Sequence, residues 1–189
     1  MSRLIVILMA LVVFGCANVG SVSHAGKGQH KTMTARLDKV AAPLLAQNIY
    51  LVNANTVIFL TQDDRANAST DGEAVYITTG LISRIGDLAL ALVVAHELGH
   101  ISLGHISLGH YWSADPPKRL EQEADRYGLF LLARAGLDYQ GAAQLPAVAQ
   151  SPHKSELAPS ADEAKRAEHF RSIIAEIETL KARGAPLIP

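Results

Sequence analysis

The hydrophobic and polar positions change period several times along this chain. Leu4 to Phe14 is an unbroken apolar run of eleven residues, followed by a polar stretch rich in Gly and Ser that reaches Thr32. Met33 to Gln47 reads as a helix, with Thr32 or Thr34 as its cap. Three short runs rich in β-branched and aromatic residues, Ile49 to Val52, Val57 to Thr61 and Ala74 to Thr78, predict strands, and the polar segment Asp63 to Gly72 predicts a loop. From Asp87 the pattern becomes helical to about His110, apolar at first and with its polar residues bunched near the end. Ser113 to Pro117 breaks it. Pro117 suits the start of the next helix, which runs to about Ala135 and is closed by Gly136. A shorter helix over Asp138 to Ala149, a loop over Ser151 to Ser160 and a charged terminal helix over Ala161 to Arg183 complete the prediction. The fold class is α+β: a mostly helical single domain with one small sheet.

Composition narrows the picture. With 49% hydrophobic residues and about 155 residues after the tether, one domain can bury a real core. The formal charge is −1, and losing Arg3 with a leader makes it −2, so electrostatics give no case for nucleic-acid binding. A single cysteine rules out an internal disulfide framework. The N-terminal run is too short to span a bilayer and suits the apolar part of a signal peptide over 1–15. Gly15 before Cys16 resembles a bacterial lipobox, which makes Cys16 the lipid-attachment residue of a membrane-anchored protein. Ala17 after it resembles lipoproteins sent to the outer membrane. Residues 16–32 are then the lipidated cysteine and a flexible tether, with His24 and His30 as linker residues, and 33–189 form the domain.

The strongest chemical signal is His96-Glu97-Leu98-Gly99-His100, reached straight from the apolar run Leu88 to Ala95. On a helix, positions i and i+4 lie about 400° apart, so His96 and His100 point the same way and can share one Zn²⁺. Glu97 cannot ligate from the same turn, but it can take a proton from a water that the metal polarises. Burying His, Glu and His on an otherwise apolar helix is costly unless they are paired or bound to metal. A catalytic zinc needs a third protein ligand. Glu121 and Asp125, four apart on the next predicted helix, share a face. Glu121 is the candidate third ligand, and Asp125 is placed to accept the N–H of a ligand histidine. Glu123 lies about 200° around that helix and should point elsewhere. The metzincin pattern is excluded, because it needs Gly and His where Leu103 and Ile106 stand. The repeated Ile-Ser-Leu-Gly-His at 101–105 and 106–110 is too short for a solenoid. A five-residue step turns a helix by about 140°, so His105 and His110 leave the face of His100 and read as polar residues flanking the helix end.

These pieces, in this order, resemble the HtpX-like and type I CAAX-prenyl-protease family of zinc metallopeptidases, a gluzincin group. The resemblance runs from about Val57 to Leu145. It rests on Asn67-Ala68, on Ala74-Val-Tyr-Ile-Thr-Thr-Gly80-Leu81, on His96 to His100, on Glu121-Gln-Glu-Ala-Asp125-Arg-Tyr-Gly128, and on Leu132-Ala-Arg-Ala-Gly136-Leu-Asp138. It implies a gluzincin-type fold, one Zn²⁺ per chain held by His96, His100 and Glu121, Glu97 as catalytic base and Asp125 behind the ligands. It also implies that the 74–78 strand lies along the cleft and could pair with an extended substrate. Only twenty residues separate His100 from Glu121, where many relatives have long or membrane-embedded segments. Relatives often carry a His-Pro pair before an Arg near the cleft. Here His153-Lys154 and Ala158-Pro159 precede Arg166, so His153 is the first candidate for stabilising the oxyanion and Arg166 the second, with His169 on the solvated face of the terminal helix.

The expected function is a lipid-anchored zinc endopeptidase facing the periplasm, at the outer membrane by the sequence after Cys16, which degrades unfolded or misassembled envelope proteins. Its membrane contact is expected through the lipid anchor alone. The competing readings are a non-catalytic, zinc-binding, chaperone-like lipoprotein on the same fold and a metal carrier using the tail histidines. The intact Glu97 argues against the first, and poor histidine spacing against the second.

Overall fold

The computed structural model describes residues 27–48, 56–106, 117–141, 145 and 161–189. Five main helices and three strands are assigned among them. Helix α1 (Lys27–Gln47) begins six residues before the expected Met33. Thr32 and Thr34 are inside it rather than capping it, and their hydroxyls donate back to the carbonyls of Gly28 and His30. Residues 27–32, expected in the tether, are therefore helical. Leu37, Val40, Ala41 and Leu44 form the buried stripe of α1 at the i, i+3, i+4, i+7 spacing of one helix face.

Strands β1 (Val57–Thr61) and β3 (Ala74–Thr78) have the predicted boundaries. Between them lies a strand that the pattern did not predict, β2 (Ala68–Thr70), inside the expected loop. The sheet order is β1-β3-β2, with β1 parallel and β2 antiparallel to β3. The expectation that the 74–78 strand pairs with substrate is thus corrected: β3 is the central strand, hydrogen-bonded to Val57–Thr61 on one side and to Ala68–Thr70 on the other. The predicted strand at 49–52 lies outside the described residues.

The Thr78-Thr79-Gly80 step ties the sheet to its surroundings. Thr78 caps the short helix α2 (Thr79–Ile82) by accepting from the Leu81 amide, while its hydroxyl reaches the carbonyl of Arg65. The Thr79 hydroxyl and the Gly80 amide both donate to the carbonyl of Asp63. A Cβ on Gly80 would lie 2.2 Å from the Asp64 carbonyl oxygen, so the backbone here leaves no room for a side chain. Arg36 of α1 closes the other end, donating to the carbonyls of Ile82 and Ile85 and pairing with Asp87.

Helix α3 (Asp87–Ser102) is buried continuously from Ala89 to His100. It ends eight residues before His110. Gly104 adopts φ +69°, its amide bonds to the Ile101 carbonyl, and the His105 amide bonds to the His100 carbonyl. This pair of bonds is a Schellman ending, which reverses the chain and lays the residue after the glycine back over the last full turn. Helix α4 (Lys118–Arg134) starts after Pro117, as the proline predicts, and ends at Gly136 (φ +70°) with the same pair of bonds. Only Asp138 to Gly141 and Leu145 of the expected 138–149 helix are described, and 138–140 are not helical. The terminal helix α5 (Ala161–Ala182) matches its prediction and buries Phe170, Ile173 and Ile177.

The core lies among α1, α3, α4, α5 and the inner face of the sheet. Helices α3 and α4 pack through Gly99 and Gly128. A Cβ on Gly99 would lie 3.0 Å from the Ala124 carbonyl oxygen, and one on Gly128 would lie 3.1 Å from the His96 amide nitrogen. The two backbones approach this closely only because both contact points lack side chains. That approach brings the acidic turn of α4 over the histidines of α3.

Candidate metal centre

His96 and His100 point the same way from α3, as their i, i+4 spacing requires. Their Nε2 atoms are 3.0 Å apart. Glu121, from the first turn of α4, brings one carboxylate oxygen to each: Oε2 lies 3.4 Å from His96 Nε2 and Oε1 lies 3.5 Å from His100 Nε2. The three donor atoms lie within 4.8 Å of one another. Ligand atoms about 2.0–2.1 Å from a tetrahedral zinc sit about 3.3 Å from each other, so the spacing fits one such ion. The donor chemistry fits as well: two imidazoles and a carboxylate are a catalytic zinc set. The Glu121 Oε1 atom is buried with no hydrogen bond of its own, which a metal would satisfy.

The electrostatics suit a cation. Burial works against a charge on His96, but its hydrogen bonds to Asp125 and Glu121 and the fields of Asp125 and Glu97 outweigh that, and its pKa is raised to about 10. Burial also opposes ionisation of Glu121, yet the bond to His96 and the charges of both histidines hold its pKa near about 2. Both shifts favour positive charge at the place a divalent ion would occupy, so metal binding there would compete with protons.

Behind His96 stands Asp125, where the sequence put it. His96 Nδ1 and Asp125 Oδ1 are 2.9 Å apart, and Asp125 is 2% exposed. The Arg166 guanidinium, from α5, binds the same carboxylate through Nε at 2.8 Å and through Nη2, and sits over the Phe170 ring. Burial opposes the Asp125 charge, but Arg166 and His96 hold its pKa below the usual carboxylate range. Arg166, expected as a second candidate for the oxyanion, is here engaged with Asp125 behind the ligands. His169 sets its Nε2 3.2 Å from the Gln122 carbonyl. Glu97 sits next to His96 on α3 and is fully buried. His153, Cys16, His24 and His110 lie outside the described residues.

Behind His100 stands a residue that helical periodicity places at the helix margin. His105 is buried, and its Nδ1 lies 2.9 Å from His100 Nδ1. Its Nε2 lies 3.2 Å from Glu123 Oε2. Both His105 and Glu123 were expected to point away. Rotation about a continuous helix would have carried His105 off the His100 face, but α3 stops at Ser102 and the Schellman turn returns it. The signal was available in the sequence: a glycine two residues past a helix end places its follower against the third residue from that end. Glu123 does leave the ligand face of α4, and meets His105 there, beside Arg119. Burial pushes His105 below the ordinary imidazole range, against the pull of Glu123.

Residues 30–113 match the sequence model of peptidase family M48. The matched segment contains the His96–His100 motif and stops before α4, so Glu121 and Asp125 join the site on geometry. No curated protein matches the chain.

Proposed function

We propose that this chain, which the match over residues 30–113 supports as a metallopeptidase of peptidase family M48, is a zinc-dependent endopeptidase centred on His96, His100 and Glu121. The observation that carries the reading is the convergence of the three donors from two helices at a spacing one ion would fill. Zinc bound there would act as a Lewis acid toward a peptide carbonyl and lower the pKa of a water. Glu97 accepts the proton of the attacking water and delivers it to the leaving amide nitrogen. Asp125 accepts a hydrogen bond from the His96 Nδ1–H, which leaves the Nε2 lone pair for ligation. Arg166 holds Asp125 in that orientation. The experiment is zinc content together with casein cleavage. Glu97→Gln is expected to keep about one zinc per chain and lose cleavage, since the base goes and the ligands stay. Normal cleavage by that variant would remove the mechanism.

The envelope setting belongs to the same proposal. The apolar run Leu4 to Phe14 and Gly15-Cys16 support export and lipid attachment at Cys16, and the proposed substrates are unfolded or misassembled proteins of the envelope. No helix among the described residues is long and apolar enough to cross a membrane. Cys16→Ser is expected to leave the membrane fraction or to accumulate as the uncleaved precursor. A wild-type protein already fully soluble in the envelope fraction would remove the anchor.

A further inference from the structure

Among the described residues, the buried histidines and carboxylates are His96, Glu97, His100, Asp125 and His105. The first four have a part in the chemistry above. His105 has none. The helix ending does not account for its side chain either, because that ending uses the amides of Gly104 and His105 and asks nothing of the imidazole.

We propose that His105 is a positioning residue for the metal site: its Nδ1 accepts a hydrogen bond from the Nδ1–H of His100 and its Nε2–H donates to Glu123, so that the Nε2 lone pair of His100 is fixed toward the ion. The inference rests on the zinc reading. If His100 ligates through Nε2, the atom that faces His96 and Glu121, its proton must sit on Nδ1. That N–H is buried and needs an acceptor, and His105 Nδ1 lies 2.9 Å away. An accepting Nδ1 leaves the His105 proton on Nε2, which points at Glu123 Oε2, 3.2 Å away. The other neutral tautomer fails twice. It would set two N–H groups against each other at 2.9 Å and turn a lone pair toward a carboxylate. The three groups therefore form one directed relay, from His100 through His105 to Glu123. Outer hydrogen bonds of this kind fix the tautomer and ring orientation of a ligand histidine.

The test is zinc affinity of the full chain by titration against a competing chelator, with ¹⁵N imidazole NMR of the zinc-loaded protein. His105→Ala is expected to bind zinc about 10–100-fold more weakly than wild type. His105→Asn is expected to recover most of that loss, because its amide oxygen can accept from His100 Nδ1 where the imidazole nitrogen did. The NMR of wild type should show His105 protonated on Nε2. An unchanged affinity in His105→Ala, an Asn variant as weak as the Ala variant, or a His105 protonated on Nδ1 would each overturn the relay. Should His105→Ala fail to fold, Glu123→Ala decides: weaker zinc binding supports the relay and unchanged binding overturns it. A wild-type chain that takes up no zinc would overturn the metal reading itself, whereas tight zinc binding by both wild type and His105→Ala would overturn the relay alone.

Discussion

The two imidazoles of the candidate metal centre stand on the same helix, one turn apart, yet they are supported in opposite ways. The His96 arm is short and dry. Its Nδ1 meets a carboxylate directly, and that carboxylate, 2% exposed, is locked by a guanidinium from another helix. The His100 arm is longer and ends near water. Its Nδ1 meets a second imidazole, and that imidazole meets Glu123, whose side chain is 39% exposed and pairs with the largely exposed Arg119. A buried ion pair is costly to break from one side, because the surviving charge is left without a partner or water. A partly exposed pair loses little, because water replaces what is removed. The difference teaches that the His96 arm joins three helices into the fold, α3, α4 and α5, while the His100 arm serves the ligand it touches.

Four substitutions sharpen or break this comparison. The largest effect is expected from Glu121→Ala, since one carboxylate faces both arms: the chain should carry almost no zinc at low zinc concentration. A fully loaded Glu121→Ala protein, by metal analysis after dialysis, would show that the arms close on an ion without it. Asp125→Ala comes next. Zinc affinity should fall about 10–100-fold, and the metal-free protein should lose about 3–5 kcal/mol in urea denaturation because a buried carboxylate–guanidinium pair is broken from one side. If His105→Ala lowered the stability of the metal-free protein by as much, the two arms would not differ in kind. The smallest effect belongs to Glu123→Ala. Its metal-free stability should stay within about 1 kcal/mol of wild type, as for a solvent-screened pair, while zinc binding weakens toward the lower end of the range for outer partners, about tenfold. A stability loss matching that of Asp125→Ala would contradict the assignment of Glu123 to the wet end.

The step from His96 to Asp125 was legible in the sequence and the step from His100 to His105 was not, and the reason is local geometry. His96, His100, Glu121 and Asp125 follow from the H-E-x-x-H motif together with helical period, since each pair is four residues apart within one helix. Asp87 as the start of α3, the bounds of β1 and β3 and the glycine stop of α4 were equally local. The repeat of Ile-Ser-Leu-Gly-His extended the predicted helix to His110, and that extension rotated His105 out of the site. Gly104 decides otherwise by taking a conformation that ends the helix. β2 escaped because three residues carry no readable alternation and its pairing with β3 is set across a turn. The first turn and a half of α1 escaped because Lys27 to Thr32 offers no apolar stripe to read. Arg166 was seen as a candidate, but its partner on α4 lies forty-one residues away, a separation that no local pattern encodes.

The close glycine contact between α3 and α4 has a consequence for how the chain resists unfolding. A polypeptide with one cysteine cannot staple itself covalently, yet an ion held by His100 and Glu121 would close a loop over the twenty residues between them. A disulfide persists in the unfolded chain and limits its freedom there, whereas such a clip holds only while the chain is folded. It is also reversible. Because the ion would bind the folded chain and not the open one, the melting temperature would follow the surrounding zinc concentration and fall when a chelator is added. The grip of this fold would then be set partly from outside the molecule, by how much metal its compartment supplies.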